Sequence, residues 1–79
     1  LQSQQHLHTS KIYLKYITLG KFLKYVNAVD SGAIAKIVIS EGEVFVNQEI
    51  ETRRGRKLRD NDTVSYDGVD YLIRIDNEN

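Results

Sequence analysis

The sequence predicts an α+β domain in which two packed helices lie against a small, mostly antiparallel sheet. Between Leu19 and Glu41 apolar residues recur at helical spacing, and from Glu43 onward the period falls to two, with turn residues between the segments. Seventy-nine residues without cysteine make one small domain that must be held by packing, because short chains bury a smaller fraction of their surface and no disulfide can compensate.

Leu1 to Ser10 is polar, glutamine-rich and aperiodic, and is expected to be a disordered segment or a cloning remnant. His6 and His8 fall within it with no acid or third ligand nearby, a poor donor set for a metal, so no metal or other cofactor is expected. Lys11 to Ile17 mixes β-branched and aromatic residues with polar ones, which suits a short strand or an extended lead-in. Thr18 offers a hydroxyl at the start of a helix from about Leu19 to Asn27. Leu19, Phe22, Leu23 and Val26 make its apolar stripe, and at about 100° per residue Lys21 and Lys24 fall near the opposite pole.

Asn27 to Gly32 breaks the pattern, and Asp30 or Ser31 can cap a second helix from about Gly32 to Glu41, stopped at Gly42. Ala33, Ile34, Ile37 and Val38 form its expected main apolar face, with Ala35 and Ile39 a second and Lys36 and Ser40 in a narrow polar strip. So apolar a helix should be sandwiched between the first helix and the sheet. Glu43 to Asn47 reads as a strand, Gln48 as a turn and Glu49 to Glu51 as a short partner strand. Asp60 to Asp62 is a turn, Thr63 to Tyr66 a strand, Asp67-Gly68 a hairpin signal and Val69 to Ile75 the closing strand. The ordered domain is expected over residues 11–76, with a frayed tail at 77–79.

Formal charge is zero, yet its signs are sorted. Residues 1–36, 37–52, 53–59 and 60–79 carry +4, −4, +5 and −5. A polyanion responds to the local field of a patch and not to the total. The third block, Arg53-Arg54-Gly55-Arg56-Lys57-Leu58-Arg59, packs five cations with no acid. Their mutual repulsion destabilises a folded domain unless an anion offsets it, and forked guanidiniums match phosphate oxygens in pairs. Glu49, Glu51, Asp60 and Asp62 flank the block, so an internally balanced loop, or one that docks an acidic protein, is the competing reading. Lys21, Lys24 and Lys36 sit on helices that would hold them on one body beside the loop. Tyr25 and Tyr66 are candidates for stacking on bases.

No catalytic constellation is present: the histidines lie in the polar N-terminal segment, and no nucleophile elbow or phosphate loop occurs. Neighbouring carboxylates such as Glu41 and Glu43, or Glu49 and Glu51, read as solvent-facing strand residues, and no enzyme activity is expected. No apolar run reaches the length of a membrane span or a signal peptide, so a cytoplasmic protein is expected, without membrane or small-molecule partners.

Four stretches in this order, Thr18-Leu19-Gly20-Lys21-Phe22-Leu23-Lys24, Ser31-Gly32-Ala33-Ile34-Ala35-Lys36, Val44-Phe45-Val46-Asn47-Gln48 and Arg53-Arg54-Gly55-Arg56-Lys57-Leu58, resemble the S4 domain, an RNA-binding module. The likeness covers roughly residues 17–66 and is greatest to the small free-standing bacterial YaaA-type members. It implies the S4-like α-L motif, two packed helices against a small curved sheet, with structured RNA across the helices and the loop after the first hairpin. Carried over by position, RNA contacts would come from Lys21, Lys24, Lys36, Arg53, Arg54, Arg56 and Lys57; Arg59 belongs to the same cation block. The chain departs from the pattern where Gly20 replaces a common Asp, Gly32 a common Arg and Gln48 the usual turn glycine. Fewer helical cations put more weight on the loop. The expectation is a non-catalytic, monomeric RNA-binding module whose partner is structured RNA, ribosomal RNA or a ribosomal particle. The alternatives are a protein-interaction module for an acidic partner and an accessory domain of an RNA-modifying enzyme.

Overall fold

A computed structural model describes residues 6–76. Along the chain run β1 (His6–Ile12), β2 (Ile17–Thr18), α1 (Leu19–Tyr25), α2 (Gly32–Ser40), β3 (Val44–Val46), β4 (Glu49–Ile50), β5 (Lys57–Leu58), β6 (Thr63–Tyr66) and β7 (Val69–Ile75). Five strands form one sheet in the order β1-β7-β6-β3-β4, and β2 pairs with β5 in a separate two-stranded ribbon. Every pairing is antiparallel except β1 with β7. Two helices on a mostly antiparallel open sheet make this an α+β fold.

Both helices end by the same device. Asn27 adopts φ 60° after α1 and Gly42 φ 79° after α2. Amides just beyond reach back: Ala28 N donates to Leu23 O at 2.9 Å, and Glu43 N to Val38 O at 3.1 Å. The left-handed residue turns the chain so that otherwise orphaned carbonyls are satisfied. Asn27 therefore terminates α1 two residues earlier than the apolar spacing suggests. At the other end of α2, Ser31 is the cap, its hydroxyl accepting from Ile34 N at 3.2 Å.

Leu19, Phe22 and Leu23 of α1 are fully buried and meet Ala35, Val38 and Ile39 of α2 over the inward residues Val44, Val46, Val64, Tyr71 and Ile73 of the sheet. Phe22 stands edge-on to Tyr71, ring centroids 5.6 Å apart. The expected sandwiching of α2 does not occur. Ile34 and Ile37 are exposed, because the arc of Ala35, Val38 and Ile39 turns to the core and leaves Ala33 and Ile37 almost opposite it. Two apolar arcs satisfied helical spacing, and packing against α1 buried the residues read as secondary, Ala35 and Ile39, together with Val38 from the face read as main.

The hairpins follow their turn residues. Asn47 and Gln48 both have positive φ, 53° and 74°, as do Asp67 and Gly68, 55° and 80°, so each pair forms a two-residue loop of the kind that matches strand twist. Asn47 makes this possible at the non-glycine turn: its Oδ1 accepts from Thr63 N at 3.0 Å and its Nδ2 donates to Asp62 Oδ1 at 3.1 Å.

Two expectations are corrected. Residues 6–10, expected to be disordered, belong to β1, which runs parallel to β7 in register from His6 with Val69 to Ile12 with Ile75; residues 1–5 of that segment lie outside the described residues. The basic block is not wholly a loop, since Lys57 and Leu58 pair with Thr18 and Ile17. Asp76 is anchored, its amide donating to Ile12 O at 2.7 Å, and the tail at 77–79 lies outside the described residues. No helix among the described residues is long and apolar enough to cross a membrane.

Candidate functional site

The basic block is fastened to the start of α1. Leu19 N donates to Arg56 O at 2.8 Å and Gly20 N to Arg54 O at 3.0 Å. These are amides that a helix leaves without internal partners, and the Thr18 side chain does not cap them. The loop backbone supplies the cap instead, so its position is set by the helix. Gly20 makes the approach possible: a Cβ there would lie 2.5 Å from Arg54 Cγ.

Glu51 fixes the loop from the other side. It is only 7% exposed. Its Oε2 accepts from Arg53 N at 3.0 Å and Arg53 Nε at 2.9 Å, and its Oε1 from Arg53 Nη2 and Arg56 Nη1, both at 3.0 Å. The Arg53 hydrogen bonds, helped by Arg56, outweigh the opposing effect of burial and hold the Glu51 carboxyl at about 2, well below its ordinary 4.5. Among the described residues this is the only carboxylate whose side chain pairs with a cation of the block. Asp60 pairs with Arg74 at 3.1 Å, and Asp62 accepts from the Arg59 backbone amide at 2.7 Å. One acid thus fixes two of the five cations without cancelling the block, and the Arg53 side chain keeps 72% of its surface in solvent.

The two basic blocks of the sequence meet here. A depression of about 640 Å³ is lined by Lys21, Lys24 and Tyr25 of α1, by Arg54 and Gly55 of the loop, and by Ile17, Thr18, Gly20 and Gly32. Lys36 is exposed and lies one turn along α2 from Gly32, on the rim side of that helix. A second depression of about 380 Å³ shares Ile17, Thr18 and Lys21 with the first and adds Leu14, Lys15 and Tyr16. Lys57 Nζ lies 4.8 Å and Arg59 Cζ 5.6 Å from the centre of the Tyr16 ring. Lys21, Lys24, Arg54, Lys57 and Arg59 therefore border one continuous surface. Arg53 and Arg56 flank it through Glu51.

Lys15 and Tyr16 are members of this surface that the sequence did not disclose. Their only signal was a position just ahead of β2, and β2 is too short for periodicity to mark. Of the two tyrosines named as stacking candidates, Tyr25 lines the larger depression, while Tyr66 is half-buried against the core.

Residues 10–74 match the model of the S4 domain. Over 52 residues, 66% of this chain and 73% of the relative, the sequence is 52% identical to RlbA of Bacillus subtilis strain 168, described as a probable ribosome maturation protein. It is 42% identical over 53 residues, 67% of this chain and 76% of the relative, to YbcJ of Escherichia coli strain K12, named provisionally as an RNA-binding protein. The fold is similar to the solution structure of YbcJ from E. coli, described as revealing an α-L motif involved in RNA binding. That likeness has a TM-score of 0.62 at 31% identity and covers 94% of this chain and 92% of the other.

Proposed function

The chain belongs to the S4 domain family, and on that footing we propose that it is a non-catalytic module that grips structured RNA, in particular ribosomal RNA, through phosphate contacts. One observation carries the reading: Arg54 of the loop and Lys21 and Lys24 of α1 border a single depression because the loop carbonyls cap that helix. Because the loop backbone is already fixed to the helix, binding need not pay to order it and only the side chains are ordered on meeting phosphate. Lys57, Arg59 and Lys36 extend the surface, and Arg53 and Arg56 supply guanidiniums already aimed by Glu51. The description of RlbA as a ribosome maturation protein supports ribosomal RNA as the class of target. Such contacts carry affinity with little sequence information, so the shape of the folded RNA selects the partner.

The test is RNA affinity measured across salt. With about five phosphates engaged, log K should fall by about 3.5 to 4.5 per decade of salt. Arg54→Ala and Lys21→Ala are the clean probes, since neither side chain pairs with Glu51. Each should weaken binding to all structured RNAs alike and reduce the slope by about 0.7 to 0.9. Unchanged affinity and slope in both variants would remove the surface from consideration.

A further inference from the structure

The short ribbon of β2 and β5 has one face in the core and one outside. Ile17 and Leu58, partners in register, are buried. Strand alternation puts Tyr16 and Thr18, with Lys57 and Arg59, on the outward face. Continuing the register by one step sets Tyr16 opposite Arg59 with Lys57 on the diagonal, consistent with both cations lying over its ring. Tyr16 contributes nothing to the apolar core and is 39% exposed. Beside it the chain exposes Tyr13 and Leu14, 68% and 59%.

We infer that Tyr16 and the depression next to it are a stacking subsite for one unpaired nucleobase. The inference rests on the RNA reading above and adds a different kind of contact to it. The depression of about 380 Å³, lined by Leu14, Tyr16, Ile17 and Thr18 and by Lys15 and Lys21, is at the small end of ligand sites, which run from about 300 to 1,000 Å³. It suits a single nucleotide and not a helix. An aromatic face takes any base, and a base that takes the place of Lys57 and Arg59 over the ring leaves both cations beside it to meet the phosphate of the same nucleotide. Away from its ends, an A-form duplex cannot deliver a base to that face, because its bases are stacked inside the helix and its grooves present edges and backbone. The subsite therefore separates RNA with a splayed or single-stranded nucleotide beside a stem from a plain stem.

The experiment compares a blunt RNA duplex with the same duplex carrying a short uridine overhang, titrated against the whole chain at fixed salt. The native protein should favour the overhang by about 5- to 140-fold, the equivalent of one stacked base. Tyr16→Ala should abolish that preference, so that affinity for the overhang RNA falls by more than affinity for the blunt duplex, which loses only what Lys57 and Arg59 owe to the ring beneath them. Tyr16→Phe, which keeps the ring, should retain it. Equal native affinity for the two RNAs, or an equal loss for both in Tyr16→Ala, overturns the stacking subsite and leaves the phosphate surface standing. A native chain that binds neither RNA at low salt overturns both readings.

Discussion

Glu51 decides whether five neighbouring cations are tolerable. Burying a carboxylate is costly unless it is paired, and this one accepts four hydrogen bonds from Arg53 and Arg56. Its carboxyl, ordinarily at 4.5, is held at about 2 in the fold. A depressed folded value means that the unfolded chain binds the proton more readily, so the stabilisation is complete above 4.5 and is lost as pH falls from there towards 2. Asp60, lowered mainly by the Ile75 amide and also by Arg74, has the same sign. Glu51→Gln keeps the shape and one acceptor but loses the charge, and should cost about 1.5 to 3 kcal/mol at neutral pH, the range for hydrogen bonds to a charged group. Denaturant unfolding at pH 7 and pH 3 checks it: the native chain should lose stability between the two, and the variant should lose less. An equal pH dependence in both proteins would mean that Glu51 does not anchor the loop.

The cation block was legible in the sequence, whereas its attachment was not, because backbone carbonyls capping a helix some 35 residues earlier leave no mark on residue types. Gly20 is the nearest thing to one. It departs from the family pattern, and its missing Cβ leaves room for the Arg54 stem. Alanine in a helix interior ordinarily gains about 1 kcal/mol over glycine, an upper limit for Gly20, which lies in the first turn of α1. Here Gly20→Ala should gain less than that, since Arg54 must leave its rotamer, while the Arg54 carbonyl, 3.5 Å from the added atom, can stay. The loop should therefore remain attached and only the guanidinium be misplaced. Gly20→Ala should lower RNA affinity about as much as Arg54→Ala, and the double variant should fall no further, the non-additivity expected of two changes acting through one group. A double-mutant cycle of RNA binding reads this directly; additive losses would separate Gly20 from Arg54.

Local patterns found both helices, the two tight hairpins and the antiparallel strands β3, β4, β6 and β7 of the larger sheet, because each of these is marked by residues close in sequence. They missed β1 and the β2–β5 ribbon, whose partners lie far along the chain. In β1 the sequence offers no clean alternation, and among its described side chains, residues 7–12, only Ile12 joins the core; what makes it a strand is the free edge of β7. The ribbon is two residues on each side, below any periodic signal, yet it carries the junction between helix and loop. These two misses differ in what they do. The parallel pairing of β1 adds edge hydrogen bonds on the far side of β7, while the basic surface depends on α1, β2 and the loop. Deleting residues 1–10 should therefore lower the midpoint and the m-value of urea unfolding, since less surface is exposed on unfolding, and leave the salt slope of RNA binding within about one phosphate contact of the native value. Lys11, whose carbonyl accepts from the Tyr25 hydroxyl at 3.3 Å, and Ile12 are retained so that the wall of the larger depression is preserved. A collapse of the slope on deletion would mean that the edge strand, and not only the helix and loop, holds the cations in place.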